Sequence, residues 1–75
     1  MNKYTRINID HEKMGGVPCI RDLRMPVATI IEMLAEDYNP QAILKEHPEL
    51  ENEDIQEALH FASELLRYRE FPLAI

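Results

Sequence analysis

The sequence predicts one mainly helical domain, in which three helices follow a short β-strand and hairpin arm. Three observations predict it. Apolar residues recur at helical spacing in two long segments, strand-like alternation and adjacent glycines mark the first part of the chain, and prolines divide the middle. A chain of 75 residues has room for one small core. We expect residues 1–26 to form the arm, 27–69 the three-helix core and 70–75 an extended C-terminal tail.

The arm begins with a strand at residues 7–9, where two isoleucines flank an asparagine. Two adjacent glycines and Pro18 then predict a turn within residues 14–18. Residues 19–25 predict a tight hairpin or an extended arm. Because an isolated two-stranded hairpin is marginal in water, the arm must lie on the helices or pair with another chain.

The first two helices have clear boundaries. The first begins near Pro26, and the second begins at Asn39, a good N-cap, with Pro40 at its first helical position. Pro48 ends the second helix. The first helix carries an apolar stripe at helical spacing that consists of Val27, Ile30, Ile31, Leu34 and Tyr38.

The third helix is expected over about residues 52–68. Either Glu51 caps it, with Asp54 reaching back in a capping box, or Asn52 is the cap. The residues expected to face inward are Ile55, Ala58, Leu59, Ala62, Leu65 and Leu66.

The net charge of −6 is unevenly distributed, with +2 on residues 1–26, −9 on residues 27–66 and +1 on residues 67–75. The acidic middle argues against nonspecific coating of nucleic acid. The single cysteine, Cys19, excludes an internal disulfide, and the His and Cys residues lack zinc-ligand spacing. No apolar run is long enough to span a bilayer, and the first residues do not resemble a signal peptide. We therefore expect a cytoplasmic protein without a membrane partner.

No enzyme constellation is evident. Glu32 with Glu36, and Glu53 with Glu57, have i, i+4 spacing, but they lie on polar helix faces and follow from the acidic composition. We expect no catalytic residue, no metal site and no cofactor.

A long helix, a short helix and another long helix match the layout of a helix-turn-helix unit. In a DNA-binding protein, base contacts would come from Asn52 and Gln56, and phosphate contacts from the arm residues Lys3, Arg6, Arg21 and Arg24. Three acids at the start of the third helix would repel the DNA backbone. A purely structural three-helix unit is therefore favoured over a DNA-binding one.

The end of the chain, from the last residues of the third helix into the tail, combines arginines with apolar residues: Arg67, Arg69, Phe71, Pro72, Leu73 and Ile75. Such a segment is suited to docking on another protein by strand addition or in a groove. The alternative is that the tail folds back over the protein's own thin core.

Short motifs in a fixed order run from about Arg6 to Leu66: Ile7-x-Ile9-Asp10, Gly16-x-Pro18-x-Ile20, Arg24-x-Pro26-Val27, Asn39-Pro40, Pro48-x-Leu50 and Glu53-Asp54-Ile55-x-x-Ala58-Leu59. Together they resemble the domain of unknown function 433 family. The resemblance implies a homeodomain-like helix-turn-helix core after a β arm, which is often dimeric. It also implies a VapB-like antitoxin of a type II toxin–antitoxin pair, whose partner is a small PIN-like toxin resembling a metal-dependent ribonuclease.

Three hypotheses follow. The first is a non-catalytic antitoxin in which Arg67 or Arg69 enters the carboxylate cluster of the toxin, anchored by Phe71, Pro72 and Leu73; alternatively, the acidic middle mimics RNA. The second is an autoregulating repressor that binds operator DNA. The third is a simple homodimerisation module that pairs its β arms.

Overall fold

A computed structural model describes residues 4–12 and 14–68. Three short strands, β1 (Ile7–Asn8), β2 (Cys19–Ile20) and β3 (Met25–Pro26), precede three helices. The helices are α1 (Val27–Ala35), α2 (Pro40–Glu46) and α3 (Asn52–Arg67). The predicted class, mainly helical with a β arm in front, is confirmed.

The three strands form an antiparallel sheet in the order β1-β2-β3. Ile20 pairs with Ile7 on one side and with Met25 on the other, so β2 is the central strand. Ile7 and Ile20 belong to the same buried cluster as the apolar faces of the helices. The hairpin is therefore present, and the arm lies on the helices of its own chain.

A 3₁₀ turn at Met14–Gly16 connects β1 to β2. Met14, Gly15 and Gly16 have φ angles of 56°, 62° and 84°. These left-handed angles are the reason for two adjacent glycines, because a side chain makes such a conformation costly.

Replacing either glycine by alanine is expected to lower the free energy of unfolding by about 1 kcal/mol, because of the left-handed backbone. Gly16→Ala should cost more than Gly15→Ala. A Cβ on Gly16 would lie 2.7 Å from Nδ1 of His11, whereas a Cβ on Gly15 meets nothing within 4 Å. Urea unfolding of both variants measures the difference, and adding His11→Ala should bring Gly16→Ala to the level of Gly15→Ala. Equal losses without that addition would contradict the steric part.

The caps of α2 and α3 form as their sequences predict. The side chain of Asn39 accepts a hydrogen bond from the backbone N–H of Ala42 at 2.8 Å. Glu51 is the N-cap of α3, and the capping box with Asp54 is complete. The backbone N–H of Glu51 donates to Oδ2 of Asp54 at 2.8 Å. Of the two caps considered for α3, the structure has Glu51 rather than Asn52.

The core lies between the sheet and the three helices, and its buried residues are Ile7, Ile20, Val27, Ile30, Met33, Ile43, Leu50, Ile55 and Ala58. Two expectations about its composition are wrong. The helix α1 ends at Ala35, so Tyr38 lies beyond it and packs against the core from the connection to α2. Three leucines of α3 expected inside are largely outside: Leu59 and Leu65 are 45% exposed and Leu66 is 60% exposed.

Candidate functional site

The first turn of α3 anchors the β arm through a cluster of charged side chains. Asp54 exposes 0% of its surface and receives hydrogen bonds from two arginines of the arm. Nη1 of Arg6 lies 2.9 Å from Oδ1 of Asp54, and Nη2 of Arg21 lies 2.8 Å from Oδ2. Arg6 also pairs with Glu51 at 2.6 Å, and Arg21 donates to the carbonyl of Glu49 at 2.9 Å. We call these five residues the Asp54 cluster.

The Asp54 cluster keeps its carboxylate ionised in a buried place. Burial alone would raise the pKa of Asp54. Hydrogen bonds from Arg21, from the Glu51 N–H and from Arg6 outweigh burial, so the pKa lies below its usual value. Hydrogen bonds to Glu51 and Asp54 raise the pKa of Arg6, and a hydrogen bond to Asp54 raises that of Arg21. The ion pairs of the Asp54 cluster thus hold the arm against α3.

Stability should consequently fall in acid. Because the pKa of Asp54 is lower in the folded chain than in the unfolded chain, its carboxylate stabilises the fold above the usual value of 3.8. That stabilisation is lost as the pH falls below 3.8 and through the folded-state pKa. Urea unfolding between pH 7 and pH 2 should show this loss as a fall in the free energy of unfolding at low pH, and the fall should be smaller in Asp54→Asn. An equal fall in Asp54→Asn would show that other carboxylates cause it.

The DNA-contact candidates fall into two groups. The guanidinium groups of Arg6 and Arg21 already donate within the Asp54 cluster, whereas Arg24, Asn52 and Gln56 are exposed. Arg24 lies in the hairpin loop between β2 and β3, and the other two lie on α3. The structure thus brings Arg6 and Arg21 to the start of α3 through internal ion pairs.

The segment that precedes β1 packs along α3. The backbone N–H of Arg6 donates to Oε1 of Glu57 at 2.7 Å, and the Tyr4 hydroxyl donates to Oε1 of Glu64 at 2.6 Å. The rings of Tyr4 and Phe61 pack edge to face, with centroids 5.4 Å apart. These contacts place an aromatic pair beside the C-terminal half of α3.

The candidate functional site is an apolar groove of about 420 Å³ between α1 and the C-terminal half of α3. Glu32 is the one charged residue among those that line it. The apolar groove is lined by Val17, Pro18, Val27, Ala28, Ile31, Glu32, Ala35, Phe61, Ala62, Leu65 and Leu66. Its walls can bind an apolar partner.

The candidates at the end of the chain follow Leu66 in the sequence. Arg67 is the last residue of α3 and is exposed. Arg69, Phe71, Pro72 and Leu73 lie outside the described residues.

Metal ions and lipid bilayers are two other kinds of partner. Within residues 4–12 and 14–68, no three His, Cys, Asp or Glu side chains form a group that could hold a metal ion. In the same part of the chain, no helix is both long and apolar enough to cross a bilayer. Cys19 is buried, and its thiol donates to the carbonyl of Val17 at 3.3 Å.

Sequence reasoning missed both the Asp54 cluster and the apolar groove. Asp54 was expected as a capping residue only, although an acid inside an otherwise apolar helix stripe signals a buried ion pair. The apolar groove was missed because Leu65 and Leu66 were assigned to the core. The lengths of the two helices indicate the groove: α3 has 16 residues and α1 has nine, so α1 cannot cover the whole apolar stripe of α3.

Comparison with known proteins gives a family. No curated protein and no solved structure matches the chain at a significant level. Residues 7–62 match the family described as "Protein of unknown function (DUF433)". The matched stretch includes the whole sheet, α1, α2 and most of α3. Because the match covers more than half of the sequence, the chain belongs to the DUF433 family.

Proposed function

We propose that this protein is a non-catalytic, VapB-like antitoxin that binds and neutralises a PIN-like ribonuclease toxin. The observation that carries the proposal is the apolar groove, which leaves Leu65 and Leu66 exposed where α3 leads into the tail. Contiguous apolar surface of this kind is characteristic of interaction sites. The three helices, in a homeodomain-like helix-turn-helix arrangement, would then present α3 and the tail to the partner.

The chemistry of inhibition comes from the arginines at the end of the chain. The active site of a PIN-like ribonuclease is a cluster of carboxylates that holds divalent cations. A guanidinium can bind such carboxylates in a bidentate manner and occupy the place of the metal or of an RNA phosphate. Arg67 or Arg69 would supply it, while Phe71, Pro72 and Leu73 bind an apolar groove of the toxin.

The distribution of engaged arginines supports this assignment. Arg6 and Arg21 are held by the Asp54 cluster, and withdrawing either would leave a buried carboxylate short of a partner. Arg67 is exposed and has no ion pair with any residue that the structure describes. Among these three arginines, Arg67 is therefore the one that can bind a partner without disturbing the fold.

The proposal predicts that a neighbouring reading frame encodes a PIN-like ribonuclease. The test is inhibition of that enzyme, measured by cleavage of a fluorescent RNA. The full chain should inhibit it, and a chain that ends after Leu66 should lose inhibition by about a hundredfold or more, since both arginines and the apolar anchor are removed. Circular dichroism checks that the shortened chain still folds. Full inhibition by a folded chain ending at Leu66 would disprove the proposal.

A matched pair of leucine variants tests the apolar groove separately. Leu66→Gln changes the groove lining, whereas Leu59→Gln changes an exposed leucine of the same helix outside it. Weaker toxin binding is expected for Leu66→Gln alone.

In the alternative in which the acidic middle of the chain mimics RNA, Glu53→Gln should weaken inhibition. Glu57 is unsuitable for that test because it already accepts the backbone N–H of Arg6.

A DNA-binding repressor is the second candidate, and the exposure of Arg24, Asn52 and Gln56 favours it. A helix-turn-helix repressor binds two half-sites as a dimer, so this candidate also requires a homodimer. A gel shift on the upstream promoter at two salt concentrations tests it, with sedimentation reporting the oligomeric state. Absence of binding at low salt, with and without the toxin, would remove this candidate.

A further inference from the structure

The apolar groove needs an occupant whenever no toxin is present. Its walls come from α1 and from the last turns of α3, and Leu66, at its edge, is 60% exposed. Removing apolar surface from water is favourable. A segment of the same chain that could cover the groove would therefore gain free energy by doing so.

The tail has the reach to be that segment. Leu65 and Leu66 line the groove and lie in the last turn of α3, so the chain leaves the helix beside the groove. The seven residues 69–75 follow. At about 3.3 Å per extended residue they span up to about 23 Å, whereas α1 is about 13 Å long. The extended tail is therefore longer than the α1 wall that it would cover.

The tail also has the matching chemistry. Phe71, Leu73 and Ile75 are apolar at every second position of the sequence, the spacing that an extended segment would need to present one apolar side. The groove offers apolar walls with one carboxylate, Glu32. Within residues 69–75 the charges of Arg69 and Glu70 cancel, so the segment adds no net charge to these apolar walls. Hydrophobic contact therefore favours this pairing.

We propose that, in the free protein, residues 69–75 lie in the apolar groove of their own chain. Resting on the proposed function, this makes the contact autoinhibitory: the same residues must leave the groove before they can bind the toxin. Loss of the contact would then free the tail for the toxin. Because the contact exists without the toxin, it is tested on the free chain.

The experiment uses engineered cysteine pairs in a Cys19→Ser background. Ala74→Cys in the tail is combined with Ala28→Cys or Ala35→Cys in the groove wall, or with Gln56→Cys as an exposed control on α3 outside the groove. Under mild oxidation, at least one groove pair should form an intramolecular disulfide about tenfold faster than the control pair, because a held segment exceeds the effective concentration of a free tether. Equal rates for groove and control pairs would overturn the proposal.

Disulfide-linked dimers as the main product would also overturn it, since a second copy would then occupy the groove. A second measurement needs no cysteine. Truncation after Tyr68 should increase the fluorescence of a dye that binds apolar surface several-fold, while leaving α3 intact. Unchanged dye binding would contradict the proposal. None of these outcomes depends on the toxin, so they are separate from failure of the inhibition assay.

Discussion

Asp54→Asn should lower the free energy of unfolding by about 3 kcal/mol, the loss typical when one partner of a buried ion pair is removed. Asparagine keeps the shape of the side chain and one carbonyl acceptor for the capping box. It removes the negative charge that binds Arg6 and Arg21 at 2.9 and 2.8 Å, so two guanidinium groups remain beside a neutral amide. A domain of this length has a total stability of about 4–11 kcal/mol, so the loss is a large share.

Urea unfolding followed by circular dichroism measures this effect. Glu53→Gln is the matched control, because Glu53 is an acid in the same first turn of α3 but is exposed. The control should change stability by less than about 0.5 kcal/mol. A similar small change in Asp54→Asn would mean that the Asp54 cluster does not hold the arm to α3.

Those features of the fold that depend on neighbouring residues could be predicted from the sequence. Asn39 and Pro40 define the start of α2, and Glu51 with Asp54 defines the start of α3, because each cap is a contact over three residues. The turn between β1 and β2 follows from Gly15 and Gly16, whose φ angles few other residues tolerate.

Features that depend on tertiary contacts could not be predicted in this way. Arg6 and Asp54 are 48 residues apart, and nothing local distinguishes Arg6, which reaches a buried acid, from Arg24, which is exposed. Leu65 and Leu66 follow Ala62 at the helical spacing of three and four residues, and this spacing is the same whether the end of α3 is covered or open. Periodicity gives the apolar face of a helix, but the length of the facing elements decides how much of that face is buried.

The remaining large prediction concerns the specificity of the arginines. The double variant Arg67→Ala/Arg69→Ala should weaken inhibition of the toxin by about a hundredfold, because the carboxylates of the toxin active site lose their charge-assisted hydrogen bonds from the guanidinium groups. Arg24→Ala is the matched control: it removes an exposed arginine at the other end of the chain. It should leave inhibition unchanged and, in the repressor candidate, weaken promoter binding and lower its salt dependence.

The two variants separate the two candidate functions, since each removes cationic charge while leaving the Asp54 cluster intact. If general electrostatic attraction brought toxin and antitoxin together, Arg24→Ala would weaken inhibition as well, and raising the salt concentration would remove the effect of both variants. A bidentate contact in the active site predicts a different result: the loss in Arg67→Ala/Arg69→Ala persists at high salt and appears mainly as faster dissociation. Substituting lysine for both arginines should restore only part of the inhibition, because an ammonium lacks the planar fork of donors. Complete rescue by lysine would show that charge alone, and not the geometry of the guanidinium, blocks the ribonuclease.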